Sequence, residues 1–226
     1  MPGVGMAGFR SRSMDPVEVR VVPHPAVTLV VEFGDSPLIV DDATEACREV
    51  GGLVGGLAPS AVRIRGRNIR CVEVRLSPMD AYAVLGAQPG ELDGAVVALD
   101  EVWGADAERM REQLADAASW DERFALARTS LARRVVSNPR AGGEVAWAWH
   151  RIVMSRGGVR VADLAGEVGW SRKRLWTRFR SQVGLPPKRA ATLVRFHHAA
   201  HRLASGHNVA AVAAGASPSR SSLGAD

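Results

Sequence analysis

The 226-residue sequence predicts an α+β chain: a small β-rich N-terminal part, a helical connector, and an all-α C-terminal part. Apolar and polar residues alternate over 17–76, which is typical of half-buried strands, and from Pro78 onward apolar residues recur at helical spacing. Charge divides similarly, because residues 138–226 hold 14 of the 29 Lys and Arg but only 4 of the 24 Asp and Glu. A basic half joined to an acidic half favours a nucleic-acid-binding module attached to a different domain.

The β-rich part is predicted from apolar runs and alternations bounded by turn residues. The first three strands are predicted at Val17–Val21, Val27–Phe33 and Leu38–Val40. Segments 61–65 and 71–76 alternate again around a Gly-Arg-Asn turn at 66–68, so they are predicted to form a hairpin. Glycines weaken segment 51–59, which is interpreted as a loop or a poor strand. Together these segments predict a small, mostly antiparallel β unit.

Composition and periodicity divide the chain into four parts. Residues 1–16 carry Gly, Pro, Ser and Arg without periodicity and are predicted to be a disordered lead-in. Residues 17–137 are predicted to form the β-rich domain with its helical connector. Residues 138–216 begin at a boundary containing Pro and Gly and are predicted to be all-α. Residues 217–226 have the composition of a disordered tail.

Segment 159–188 predicts two short helices joined by a tight turn. An apolar stripe defines the first helix, and Gly169 provides the left-handed residue that ends it. Ser171 is predicted to cap the second helix, Ser171–Gln182, in which Leu175 and Phe179 face the first. The outward side chains of this second helix are mostly basic. One packed face and one basic face are typical of a DNA-recognition helix.

The same segment resembles the DNA-binding domain of the AraC/XylS family of bacterial transcription regulators. The shared residues are Leu-Ala at 164–165, Gly-Trp-Ser at 169–171, Leu175, Phe179 with Arg180, Val-Gly-Leu-Pro-Pro-Lys at 183–188, and Arg-Phe at 195–196. Several fixed spacings agree over residues 164–196, which is more specific than a bare helix-turn-helix pattern. The resemblance implies a sequence-specific transcription regulator that reads the major groove of double-stranded DNA with Ser171–Gln182.

The resemblance also implies roles for individual residues. It assigns base contacts to Lys173, Trp176 and Thr177, and lysine and threonine suit contacts with guanine and thymine edges. It is compatible with phosphate contacts, which fix register without specifying sequence, from Arg172, Arg174, Arg178 and Arg180. Ser171 and Lys188 begin successive helices, where a phosphate is favoured. Two alternatives stay open: Trp176 could be buried against a neighbouring helix, and each arginine could be a solvated surface residue.

For the N-terminal part, the resemblance implies a cupin-like domain that senses a small-molecule effector or forms a homodimer. A metal-binding cupin does not fit, because His24 is the only histidine before residue 150. The histidines at 197, 198 and 201 are interpreted as surface residues.

The sequence also departs from the family after residue 214. No second recognition helix follows before Asp226, so the second helix-turn-helix is expected to be truncated. The alternative function is therefore a ligand-binding or dimerisation protein whose DNA-binding half is impaired.

No catalytic motif is recognisable, so the chain is not expected to be an enzyme. The sequence lacks GxSxG, HExxH and P-loop patterns, and no cofactor or metal is predicted. Cys47 and Cys71 lack metal-binding spacing and are expected to be free thiols, with a disulfide as the open alternative. No apolar run approaches the ~20 residues of a membrane helix, and the N-terminus lacks a signal-peptide core, so a cytoplasmic protein without a membrane partner is expected.

Overall fold

The structure, a computed structural model, describes residues 4–11, 15–20, 23–41, 47–57, 63–86, 92, 96–137 and 141–206. The strands are β1 (Gly5–Arg10), β2 (Val17–Arg20), β3 (Val27–Glu32), β4 (Leu38–Asp41), β5 (Cys47–Val50), β6 (Gly52–Gly55), β7 (Arg63–Gly66), β8 (Arg70–Leu76) and β9 (Val96–Ala98). The helices are α1 (Pro78–Leu85), α2 (Leu99–Trp103), α3 (Ala105–Asp116), α4 (Trp120–Ser137), α5 (Gly143–Met154), α6 (Val161–Glu167), α7 (Arg172–Val183) and α8 (Pro187–Ala204). A β-rich part is thus followed by a helical part, as predicted.

The strands form two antiparallel sheets. The first sheet has the order β1-β8-β3-β6-β9 and the second has the order β2-β7-β4-β5. In β3, Val27, Leu29 and Val31 are fully buried on the face that packs against the helices. Val30, on the opposite face, packs with Leu38 and other residues of the second sheet. The first sheet therefore lies between the helical layer and the second sheet.

Strands β7 and β8 do not form the predicted hairpin. β7 pairs with β2 and β4, whereas β8 pairs with β1 and β3 in the other sheet. The chain changes sheets between them, and Asn68 adopts a left-handed conformation at φ +48°. The buried Glu32 carboxylate fixes this crossing, since it accepts hydrogen bonds from the backbone N–H groups of Arg70 (3.1 Å) and Gly34 (2.8 Å). The composition at 66–68 indicated a turn, but it did not specify which sheets the turn joins.

Two glycine-containing segments are more ordered than the sequence predicts. Residues 5–10 of the predicted disordered lead-in form the edge strand β1, which pairs with β8 over its whole length. Segment 51–59 contains β6, whose four residues are all buried in the first sheet. A Cβ on Gly52 would lie 2.8 Å from the carbonyl oxygen of Val30. The glycines therefore permit close packing where composition suggested a weak structure.

The helical layer joins the sheets to the C-terminal part. Ser77 caps α1 by accepting a hydrogen bond from the backbone N–H of Asp80 (3.1 Å), and α1 packs against both α4 and α7. The main hydrophobic core is continuous through this layer, from Leu29 of β3 through Leu131 of α4 to Phe179 of α7. Residues 138–140 of the predicted domain boundary lie outside the described residues, as do residues 207–226. The domain limits stay a prediction.

Three features predicted from the sequence concern membranes, cysteines and metals. Of the helices in the described ranges, none is long and apolar enough to cross a membrane. Cys47 is exposed and Cys71 is buried, and both are free thiols. Within the part of the chain that the structure describes, no three His, Cys, Asp or Glu side chains are grouped so that they could hold a metal ion.

Candidate DNA-binding surface and interdomain cavity

Helices α6 and α7 form the predicted helix-turn-helix. Gly169, at φ +67°, ends the first helix, and Ser171 caps the second by accepting a hydrogen bond from the backbone N–H of Arg174 (3.2 Å). Gly184, at φ +93°, ends α7, and its N–H donates to the carbonyl of Arg180 (2.9 Å). The start and end of α7 thus follow from the capping residues that the sequence provides.

One face of α7 is buried. Leu175, Phe179 and Val183 have no solvent exposure, and the Phe179 ring lies 6.5 Å from the Trp149 ring of α5. At the end of α7, the Gln182 side-chain oxygen accepts a hydrogen bond from the N–H of Gly142 (2.8 Å), immediately before α5. These contacts fix how α7 is rotated on the protein, and therefore which side chains it presents to solvent.

The other face of α7 is exposed. Every residue predicted to contact DNA is exposed: Ser171, Arg172, Lys173, Arg174, Trp176, Thr177, Arg178, Arg180 and Lys188. Trp176 is 44 % exposed, so part of its ring reaches solvent, while the alternative of partial burial against a neighbouring helix stays open. The hydroxyl of Thr177 donates to the carbonyl of Lys173 (3.0 Å), so its proton is engaged within the helix.

This exposed face is strongly basic. Helix α7 carries Arg172, Lys173, Arg174, Arg178 and Arg180, and no acidic residue. Two arginines lie over tryptophan rings: Arg180 is 5.4 Å from the centroid of Trp176, and Arg174 is 4.7 Å from that of Trp170. Nearby, the negative charge of Glu167 on α6 is offset by an ion pair with Arg151 (3.2 Å). The surface is suited to a polyanion.

A second candidate site is a cavity of about 320 Å³ between the two sheets. Its walls are mostly apolar and include Val30 and Leu53 of the first sheet and Ile64 of the second. Helix α8 closes one side of the cavity with Phe196, His197 and Ala200. The charged and polar lining residues are His24, Glu73, Arg75 and His197. The cavity therefore lies at the junction between the β-rich part and the helix-turn-helix part.

His24 and His197 meet at this junction. Their ring centroids lie 4.3 Å apart with the rings at 73°, in an edge-to-face contact. Burial, followed by the nearby His197 and Arg75, lowers the pKa of His24 to about 4, and burial likewise lowers the pKa of His197. His197 has intermediate exposure, and its contact with His24 adds a packing role that the interpretation as a surface residue did not include. The helical periodicity of α8 gave no indication that this residue meets a loop of the β-rich part.

The structure has a β-rich part, a helical connector and a helix-turn-helix part in this order, which is the layout that the AraC/XylS resemblance implies. Among solved structures, ToxT from Vibrio cholerae has this fold, with a TM-score of 0.51 at 10 % identity over 95 % of this chain and 89 % of that chain. ToxT bound to an unsaturated fatty acid matches with a TM-score of 0.51 at 9 % identity, over 96 % and 87 % of the two chains.

The structure of the AraC-like transcriptional activator CuxR is a more distant match, with a TM-score of 0.34 at 17 % identity over 86 % of this chain and 76 % of that chain. No protein-family model matches the sequence, and no curated protein matches it significantly. At these identities the likeness to ToxT shows a shared fold and does not show membership of a family.

Proposed function

We propose that this protein is a DNA-binding transcriptional regulator of the AraC type that reads the major groove with α7. The observation that carries the proposal is the division of α7 into a buried face and an exposed basic face. A helix fixed on one side by Leu175 and Phe179 presents a constant set of side chains to a groove. The proposal places the protein with its DNA in the cytoplasm.

The exposed side chains divide into two roles. Trp176 and Thr177 lie about one helical turn after Lys173, and these three residues are proposed to contact bases. Lysine can donate hydrogen bonds to guanine, and threonine offers a methyl group to thymine. The exposed arginines of α7 and Lys188 are proposed to bind phosphates. Arg180, which lies over the Trp176 ring, would then also restrict the orientation of that side chain.

The test is selection of binding sites from a random duplex library with the purified full chain. The test variant changes Lys173, Trp176 and Thr177 to Ala, and the control variant changes the exposed Arg128 and Arg133 of α4 to Ala. We expect an enriched motif for the unchanged chain and the control, and its loss in the test variant. Because the test variant keeps every α7 arginine, its residual binding should be unselective and salt-dependent.

Unselective binding by the unchanged chain would refute direct readout by α7. It would favour the alternative, a ligand-binding or dimerisation protein with an impaired DNA-binding half.

A homodimer is part of the proposal, since two copies would present two α7 helices to adjacent half-sites. Sedimentation of the chain with and without the selected duplex measures the number of copies bound.

We further propose that the cavity binds a small-molecule effector, an amphipathic carboxylic acid. Its walls are apolar, and Arg75, His24 and His197 supply cationic or hydrogen-bonding groups at the same place. ToxT has been solved with an unsaturated fatty acid and with a naphthyl butenoic acid. Dodecanoic acid should therefore raise the melting temperature more than dodecanol does, and Arg75→Gln should reduce this difference. Equal effects of the acid and the alcohol would contradict a carboxylate site.

A further inference from the structure

The two parts of the protein meet through a pair of titratable side chains. His24 lies in the loop before β3, and His197 lies on α8, which follows the proposed recognition helix. Their rings are in edge-to-face contact at 4.3 Å. The Nδ1 atom of His24 is buried and has no hydrogen-bond partner among the described residues. An unprotonated Nδ1 needs no donor here, whereas protonation of Nδ1 would create a buried N–H group without an acceptor.

The charges around this pair are mostly positive. From β8, Arg75 lies close enough to affect both histidines, and from α8, His201 and His198 affect His197. Glu73 of β8 also lines the cavity, but its carboxylate is already paired with Arg75 at 2.5 Å. Arg189 of α8 lies on the neighbouring groove beside Pro23. A proton on either ring would therefore be added next to a second imidazole and a guanidinium group.

We propose that His24 and His197 form an acid-labile latch that holds α8 against the β-rich part. With both rings neutral, the edge-to-face contact and the cavity wall stay intact. When either ring is protonated, the cost of burying its charge and the repulsion from Arg75 separate α8 from the sheets and open the cavity. Because α8 packs against α5 and α7, its movement would change the packing that supports the helix-turn-helix, while α7 keeps its contact with α1.

The direction of the pH dependence follows from the pKa of each state. In the closed latch the pKa of His24 is about 4, against 6.5 for an exposed histidine. The closed state thus binds fewer protons, so closure is fully favoured above pH 6.5 and is lost as the pH falls toward 4. For His24 alone, these values predict that the ratio of closed to open latch falls about 30-fold between pH 7.5 and pH 5.

The first experiment is an NMR titration of the imidazole nitrogens in the full chain, without DNA or effector. The variants are His24→Gln, His197→Gln and, as a control, His150→Gln on the exposed face of α5. In the unchanged chain and the control, we expect the pKa of His24 to lie well below that of an exposed histidine, and the pKa of His197 to be lowered as well. His197→Gln should raise the pKa of His24, because His197 is one of the groups that lower it.

The second experiment measures opening by hydrogen exchange at pH 7.5 and pH 5, corrected for the intrinsic exchange rates. Peptides from α8 and β8 should lose protection at the lower pH in the unchanged chain and in His150→Gln. Both His24→Gln and His197→Gln should show a smaller loss. Two results would overturn the latch: independent titration of the two rings, or a loss of protection that is the same in all four proteins. Neither readout depends on DNA binding.

Discussion

The two faces of α7 predict opposite consequences for two aromatic residues on the same helix. Phe179 is fully buried and packs near Trp149, so Phe179→Ala removes a whole ring from a closed core. Such a truncation costs about 3–5 kcal/mol of the free energy of unfolding. Trp176 is 44 % exposed, and the Arg180 guanidinium lies over its ring at 5.4 Å from the centroid. A cation–π contact at an exposed site is worth about 0.5–1 kcal/mol, which limits the cost of Trp176→Ala.

Urea denaturation of the two variants measures this difference. Following both the helical circular dichroism and the fluorescence of the remaining tryptophans shows whether one transition or two occur. Phe179→Ala should lower the midpoint of a single transition, because the core is continuous from the sheets to α7. Trp176→Ala should leave the midpoint nearly unchanged while it abolishes selective DNA binding. Equal destabilisation by both substitutions would refute the assigned rotation of α7, and two separate transitions would refute the shared core.

Three further predictions concern buried charge. Arg123 is only 8 % exposed, and its side chain donates a hydrogen bond to the carbonyl of Leu114 (2.8 Å). Arg123→Ala should therefore lower the free energy of unfolding, measured with denaturant, by about 2–4 kcal/mol. The same change at the exposed Arg128 should lower it by less than ~0.5 kcal/mol. Burial raises the pKa of Glu32 above its usual 4.5, so the folded state retains the carboxyl proton to a higher pH than the unfolded state does. The free energy of unfolding, relative to that of Glu32→Gln, should therefore decrease as the pH rises from 4.5 to neutrality. A difference between the two proteins that does not change with pH would contradict this. If the cavity binds a carboxylate beside His24, the bound carboxylate should favour protonation of this histidine, so dodecanoate binding at about pH 6 should take up protons. Calorimetry in buffers of different ionisation enthalpy measures this uptake. His24→Gln should take up fewer protons.

The sequence predicted the helix-turn-helix well because its signals are local. Gly169, Ser171 and Gly184 act within one turn of the helices that they end or cap. The buried face of α7 follows from residues spaced along a single helix, and so does the exposed basic face. Periodicity and capping are properties of neighbouring residues, and they require no knowledge of the rest of the fold.

The features that the sequence did not predict all depend on contacts between distant segments. β1 is ordered because β8 pairs with it, although residues 1–16 alone have no periodicity. The crossing between β7 and β8 depends on the carboxylate of Glu32 on β3, which pairs with β8 but lies 38 residues before Arg70 in the sequence. The contact between His24 and His197 joins residues from opposite ends of the chain. No local pattern encodes such pairings, since each requires the whole arrangement of sheets and helices.

The position of α1 between α4 and α7 has a practical consequence for protein engineering. Regulators are commonly recombined by joining the sensor of one protein to the DNA-binding half of another at the linker. In this protein a junction near residue 140 would separate α7 from α1 and expose apolar surface on both fragments. A junction before Pro78 would keep α1 with α7, but it would separate β9 from β6, its partner in the first sheet. The two parts of this chain therefore cannot be divided at either junction without breaking packing that both of them share.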